Sequence, residues 1–125
     1  MTIDTALLFS FIEVESSFNA KAFRPDRNGG SYGLMQLDMP TAQDRGYAGA
    51  NAGLYQPRIN IQYGIAVLDW IVTELEKRGM YSIANVAAAF NAGLEHVISG
   101  GTDATYSGKI EAAYSAWRTI LGESA

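Results

Sequence analysis

Apolar residues recur at helical spacing in four stretches of this chain, separated by breaks rich in Gly, Pro and Asn. In the first stretch Leu7, Leu8, Phe11 and Ile12 form one face of a helix that runs to about Ser17, with Thr2 or Asp4 as its cap. From 21 to 32 the pattern fails, and Pro25, Asp26, Asn28, Gly29 and Gly30 predict a loop or short hairpin. Pro40 suits the first turn of a short helix over 40–45, stopped by Gly46, and 47–56 is a second loop. The longest periodic segment starts at Pro57 and carries Ile61, Ile65, Leu68, Ile71, Val72 and Leu75 until Gly79 ends it. Residues 83–90 are almost wholly apolar, which predicts a short helix buried on most sides. A last helix begins near Asp103, with Ile110, Ala113, Tyr114, Trp117, Ile120 and Leu121 on its apolar face. No repeat, linker or low-complexity tract interrupts the series. The prediction is one domain over residues 1–125, mainly α and compact, with at most one small β-hairpin.

One ionisable residue breaks the pattern of the first helix. Each helical residue turns about 100° from the one before it, so Glu15 projects almost directly over Leu8, on the apolar side. Glu13 falls roughly 140° away and faces water. A carboxyl on the buried side of a helix is costly unless it is paired or kept neutral. A general acid at a glycosidic oxygen needs the second condition. Apolar neighbours supply it by disfavouring the charged form, and a rise of about two pKa units needs only ~3 kcal/mol.

Composition narrows the chemistry further. The 125 residues are 48% hydrophobic and 18% charged, as in a globular domain. No Cys is present, which removes disulfides, thiol nucleophiles and thiolate metal sites, and a single His96 cannot build a His cluster. His96 has no second ligand near it in sequence and is expected on the surface. The spacing Asp26–Asn28–Gly30 faintly resembles a calcium loop, but its twelfth position is Leu37 where a bidentate Glu is required. No metal or cofactor is therefore expected. A net charge of −4 argues against nucleic acid as a partner. The N-terminal residues lack a basic region and carry Asp4, unlike a secretory signal. No apolar run approaches the ~20 residues of a membrane span, so no membrane insertion is expected.

Four motifs in order then become recognisable: Glu15-Ser16-Ser17-Phe18-Asn19, Gly33-Leu34-Met35-Gln36, Ala89-Phe90-Asn91-Ala92-Gly93, and Tyr106. With Pro40-Thr41-Ala42 and Pro57-Arg58-Ile59-Asn60-Ile61, they resemble the lysozyme-like superfamily, in particular the soluble lytic transglycosylases and the goose-type lysozymes. The resemblance covers nearly the whole chain. It implies an α+β lysozyme-like fold with a substrate cleft, and cleavage of the β-1,4 bond between N-acetylmuramic acid and N-acetylglucosamine in peptidoglycan. Glu15 stands where those families keep their catalytic acid. Gln36 and Met35 match the cleft wall, Ser31 and Tyr32 are further candidates for sugar contact, and Asn91 is a candidate for contact or for capping. Tyr106 matches a tyrosine near the acid. Phe90 departs from the pattern, because these families usually carry Tyr there.

What attacks the anomeric carbon after protonation separates two chemistries. An inverting hydrolase needs a second carboxylate about 6.5–9.5 Å from the acid to activate water. Asp26 and Asp38 flank the Gly-Leu-Met-Gln turn as in goose-type lysozymes, where such residues are proposed to hold that water. Each also has a local role open to it: Asp26 can bond its own turn, and Asp38 can cap the helix that follows. A lytic transglycosylase needs no second carboxylate, since the same Glu takes a proton from the sugar's own C6 hydroxyl and a 1,6-anhydro sugar results. The Asn19…Ala22 and Pro40-Thr41-Ala42 patterns favour the transglycosylase, acting as a monomer on glycan strands. A noncatalytic glycan-binding or virion module, or a glycosidase of chitin, are the other readings. A wall-degrading protein made in the bacterial cytoplasm without its own signal would fit a phage or prophage origin.

Overall fold

The computed structural model describes residues 3–26 and 28–123. The order of elements is α1 (Thr5–Ser16), β1 (Phe23–Arg24), β2 (Ser31–Tyr32), β3 (Leu37–Asp38), α2 (Met39–Asp44), a 3-10 turn (Asn51–Tyr55), α3 (Pro57–Lys77), α4 (Ile83–Ala92), α5 (Leu94–Ile98) and α6 (Ala104–Ile120). The chain divides into two compact units, Phe11–Val67 and Met1–Ser10 with Leu68–Ala125, so α1 and α3 each contribute to both. No helix among the described residues is long and apolar enough to cross a membrane.

In the unit Phe11–Val67 the small hairpin foreseen for 21–32 is a three-stranded antiparallel sheet in the order β1-β2-β3. The third strand went unforeseen because only two residues of it, Leu37 and Asp38, pair. The two-residue register decides the chemistry of the sheet. Phe23 faces Tyr32, which faces Leu37; Arg24 faces Ser31, which faces Asp38. Residues opposite one another across neighbouring strands share a face, so one row is apolar and the other polar. Tyr32 and Leu37 of the apolar row are buried, with the Tyr32 ring centroid 5.2 Å from Phe23 and 5.4 Å from Tyr55.

The turn between β2 and β3 is the Gly33-Leu34-Met35-Gln36 motif, and the start of α3 holds it. Asn60 is fully buried, accepts from the Met35 N–H at 2.9 Å, and donates to the carbonyls of Tyr32 and Leu54, each at 2.8 Å. Gly33 has φ +76°, and a Cβ there would run into the Leu54 carbonyl and Asn60, so this position requires glycine. Ser16, in the last turn of α1, donates to the Leu34 carbonyl at 2.7 Å.

This anchoring corrects the expected apolar stripe of α3. Ile65 is exposed and Ile61 only partly buried; the buried line runs instead through Asn60, Gly64, Val67, Leu68, Ile71, Val72 and Leu75. The reason is local. Asn60 must face the turn it bonds, and Gly64 leaves room for the Met35 side chain, which lies where a Cβ would be. A similar shift affects α1, whose buried positions are Ala6, Leu7, Ser10, Phe11 and Ile12, with Leu8 half-buried. The Asp4 side chain caps α1 through the Leu7 N–H at 2.8 Å, while Thr2, the other candidate cap, lies outside the described residues.

In the second unit α4 packs against α5 and α6. Ser82 caps α4 through the Asn85 N–H at 3.0 Å, and Val86, Ala87, Ala88 and Ala89 are buried, as the apolar run predicted. The helix extends to Ala92, past residue 90, before Gly93 ends it at φ +101°. Helix α5 was not foreseen, because five residues are too few to show a period. The expected face of α6 fades along its length: Ser107 and Ile110 are buried, Tyr114 and Trp117 partly so, and Ile120 is 68% exposed and Leu121 39%. At 1.5 Å per residue the 17 residues of α6 span about 25 Å and the 10 of α4 about 15 Å, so the end of α6 outruns the helix it lies on. The Tyr114 hydroxyl donates to Asp4 at 2.8 Å, and the Phe9 and Trp117 rings meet edge to face at 5.1 Å.

Candidate active site

The last turn of α1 carries Glu15, and its side chain is 6% exposed. Burial of a carboxylate demands a partner, and the polar row of the sheet provides one. The Arg24 guanidinium donates to Glu15 Oε1 at 3.1 Å, while its own side chain is 64% exposed. The sequence admitted two escapes for a carboxyl in this position, pairing or neutrality, and the structure supplies the first.

Asp26 follows Arg24 by two residues and closes the loop between β1 and β2. Its Oδ1 accepts from the N–H groups of Asn28 (2.7 Å) and Gly30 (2.9 Å), and its Oδ2 accepts from the Ser31 hydroxyl at 2.8 Å. The Ser31 hydroxyl, then these two N–H groups, and also the nearby Arg24 charge, hold the Asp26 carboxyl below the usual carboxylate range. Asp38, at the end of the same polar row, caps α2 through the Thr41 N–H at 2.8 Å. Its other oxygen receives the Asn28 side-chain amide at 3.3 Å. Asn28 therefore bridges the two aspartates. The structure joins Asp26, Ser31 and Asp38 in one polar cluster with Asn28, and Arg24, which pairs with Ser31 across the strands, carries the ion pair to Glu15.

A depressed folded-state pKa contributes stability above the unfolded value and loses it as pH falls through the folded one. Asp26→Asn should accordingly lower the urea midpoint at neutral pH, and the gap to wild type should close as pH drops below about 4. A gap that stays constant down to acid pH would show that Asp26 does not brace the loop as a carboxylate.

The proposed wall residues take supporting positions. Met35 is fully buried and packs against Gly64, so its side chain has no exposed surface in this structure. Tyr32 is 7% exposed, and its hydroxyl bonds the Gly29 carbonyl and the Asn51 amide. Gln36, at φ +50°, donates to the carbonyls of Ala22 and Gly33 at 3.1 and 3.0 Å, tying β1's entry to the turn. In the helical unit Asn91 is exposed and donates to Asp103 at 2.7 Å, bracing the start of α6. Phe90 and Tyr106 are half-buried, Tyr106 in the first turn of α6. His96 is exposed and meets the Thr102 carbonyl at 2.8 Å. Among the described residues no group of three or more acidic or His side chains is placed to hold a metal ion.

Sequence reading missed Arg24, Asn28 and Asn60. The alternation Phe23-Arg24 was a signal for the first, but two residues of strand are too few to establish a period of two. Asn60 was visible as a polar residue in step with Gly64, Val67 and Ile71.

The fold matches solved enzymes over almost its full length. It superposes on a lytic transglycosylase Slt from Pseudomonas aeruginosa, in an inactive form carrying one Glu-to-Gln exchange, with a TM-score of 0.82 and 19% identity. That match covers 98% of this chain and 23% of the other. The soluble lytic transglycosylase of 70 kDa from Escherichia coli gives a TM-score of 0.78 and 22% identity, over 97% of this chain and 22% of that one. The chain thus spans under a quarter of each. The mainly helical architecture with its small antiparallel sheet is that of the lytic transglycosylases. Across residues 1–112 the sequence also matches the family model of the transglycosylase SLT domain, and the chain belongs to that family.

Proposed function

We propose that this chain cleaves the β-1,4 bond between N-acetylmuramic acid and N-acetylglucosamine in peptidoglycan as a lytic transglycosylase, with Glu15 as general acid and then general base. One observation carries the reading: a carboxyl shielded from water, in a member of this family, ion-paired with an exposed arginine. In the first step the protonated Glu15 gives its proton to the glycosidic oxygen as the C1–O bond breaks and oxocarbenium character develops. The N-acetylglucosamine hydroxyl departs, and Glu15 is left as a carboxylate. In the second step this carboxylate takes the proton of the C6 hydroxyl while that oxygen bonds to C1, closing the 1,6-anhydro ring and restoring the acid. A tethered nucleophile reacts with a large effective concentration, so no second carboxylate is required.

The Arg24 pair fits the second step. The ion-paired carboxylate is the form left after proton donation, and the guanidinium stabilises it while it serves as base. Arg24 is 64% exposed, so water can solvate its guanidinium when Glu15 carries the proton for the acid half of the cycle. The Pseudomonas aeruginosa relative, inactive with one Glu exchanged for Gln, supports an essential Glu in this fold.

A hydrolytic, goose-type reading has its own observation, since Asn28 ties Asp26 and Asp38 together on the polar row. Mass spectrometry of fragments released from purified cell walls separates the two. Transglycosylation yields ends lighter by one water than the reducing ends of hydrolysis. Predominantly reducing ends, lost in Asp38→Asn, would favour the hydrolase; no release at all would defeat both.

A further inference from the structure

Asp26 is fixed by three hydrogen bonds, from the N–H groups of Asn28 and Gly30 in its loop and from the Ser31 hydroxyl of β2. Ser31, which donates to Asp26, lies directly opposite Arg24 across β1 and β2. Arg24 in turn holds Glu15. Resting on the reading of Glu15 as the acid and base, we infer that Arg24 is the positioning residue for the Glu15 carboxylate, and that Asp26 and Ser31 act on the reaction through Arg24.

The physical case is one of preorganisation. An exposed arginine has many rotamers, and ordering such a side chain costs conformational entropy. At a surface position that cost usually cancels most of the gain from an ion pair. Here the strand backbone carries Arg24 up to a carboxylate that has little water to fall back on. The loop lock also fixes a negative charge two residues along the chain from Arg24. The lock ties Ser31, the residue opposite Arg24, to the loop that follows β1, and so keeps β1 in register with β2. Asp26 then needs no direct part in activating water, and its substitution should matter in a transglycosylase as well as in a hydrolase.

A double-mutant cycle tests the chain of influence. Arg24→Ala should lower kcat on the order of 10²-fold, the scale of a misplaced catalytic group, with little change in KM, and Arg24→Lys should recover part of the loss. Asp26→Asn and Ser31→Ala should give smaller losses of the same kind. In the Arg24→Ala background Asp26→Asn should add almost nothing, because residues acting through one another are not additive. Fully additive losses, or a drop in Asp26→Asn that Arg24→Ala leaves intact, would overturn the inference. A second measurement needs no activity: nitrogen-15 relaxation of the Arg24 Nε–H should show an ordered side chain in the wild type and a mobile one in Asp26→Asn. Equal order in both would also overturn it. Failure of the proposed function shows separately, in the mass of the released fragments.

Discussion

Glu15→Gln should abolish the release of glycan fragments while leaving the fold in place. The amide keeps the shape of the side chain and can still meet Arg24 through its oxygen, but it cannot deliver a proton to a leaving group or take one from the C6 hydroxyl. General acid–base catalysis contributes roughly 10²–10⁴-fold, and here one group serves both steps, so the loss should lie at or beyond the upper end. The effect on stability should be small. The substitution removes an ion pair, but it also relieves the burial of a charge, and these terms oppose each other. The checks are fragment release from purified cell walls and a thermal melt of the same preparation. Activity near that of wild type would refute the assignment. A collapsed melt would mean that Glu15 holds the fold together and that lost activity says nothing about chemistry.

Asn60→Ala should cause a large loss of stability in the Phe11–Val67 unit. Its side chain satisfies three backbone groups at once in a fully buried position: the Met35 N–H and the carbonyls of Tyr32 and Leu54. Each buried polar group left without a partner costs about 1–3 kcal/mol. Relaxation lets some of them find new partners, so a total of about 3 kcal/mol is expected, with a fall in Tm on the order of 10 °C. Asn60→Asp should fare no better, since it keeps the acceptor for Met35 but loses both donations and buries a charge. Because the turn carries Gln36 and leads into Asp38, activity should fall at temperatures where the protein is still folded. Denaturant melts of both variants test this. A change below about 1 kcal/mol would show that the turn does not depend on this anchor.

These residues also show what the sequence could carry. The long helices were legible because Leu68, Ile71, Val72 and Leu75, or the run Val86 to Ala89, repeat at a period that only a helix satisfies. Glu15 stood out for the same reason, as a polar residue in an apolar stripe. Its partner did not. Arg24 reaches Glu15 through a strand two residues long, and pairing between strands is set by the turn that joins them rather than by either strand alone. Where Ile61 and Ile65 misled, the burial of Asn60 and Gly64 is fixed by a contact 25 residues away in sequence, between Asn60 and Met35. Periodicity senses neighbours along one element. It cannot sense a hydrogen bond that outweighs an isoleucine. Asp26 and Asp38 were each legible in two ways, and both adopt the local bonding that their neighbourhoods offered, Asp26 within its loop and Asp38 at the start of α2.

The most direct measurement is digestion of purified cell walls in water enriched in heavy oxygen, followed by mass spectrometry of the new muramic ends. In a transglycosylase the C6 oxygen of the sugar itself closes on C1, so the ends should be anhydro forms without label. In a hydrolase the attacking oxygen comes from solvent. Reducing ends bearing one heavy oxygen, beyond the slow exchange seen when the same ends are incubated without enzyme, would contradict the transglycosylase mechanism.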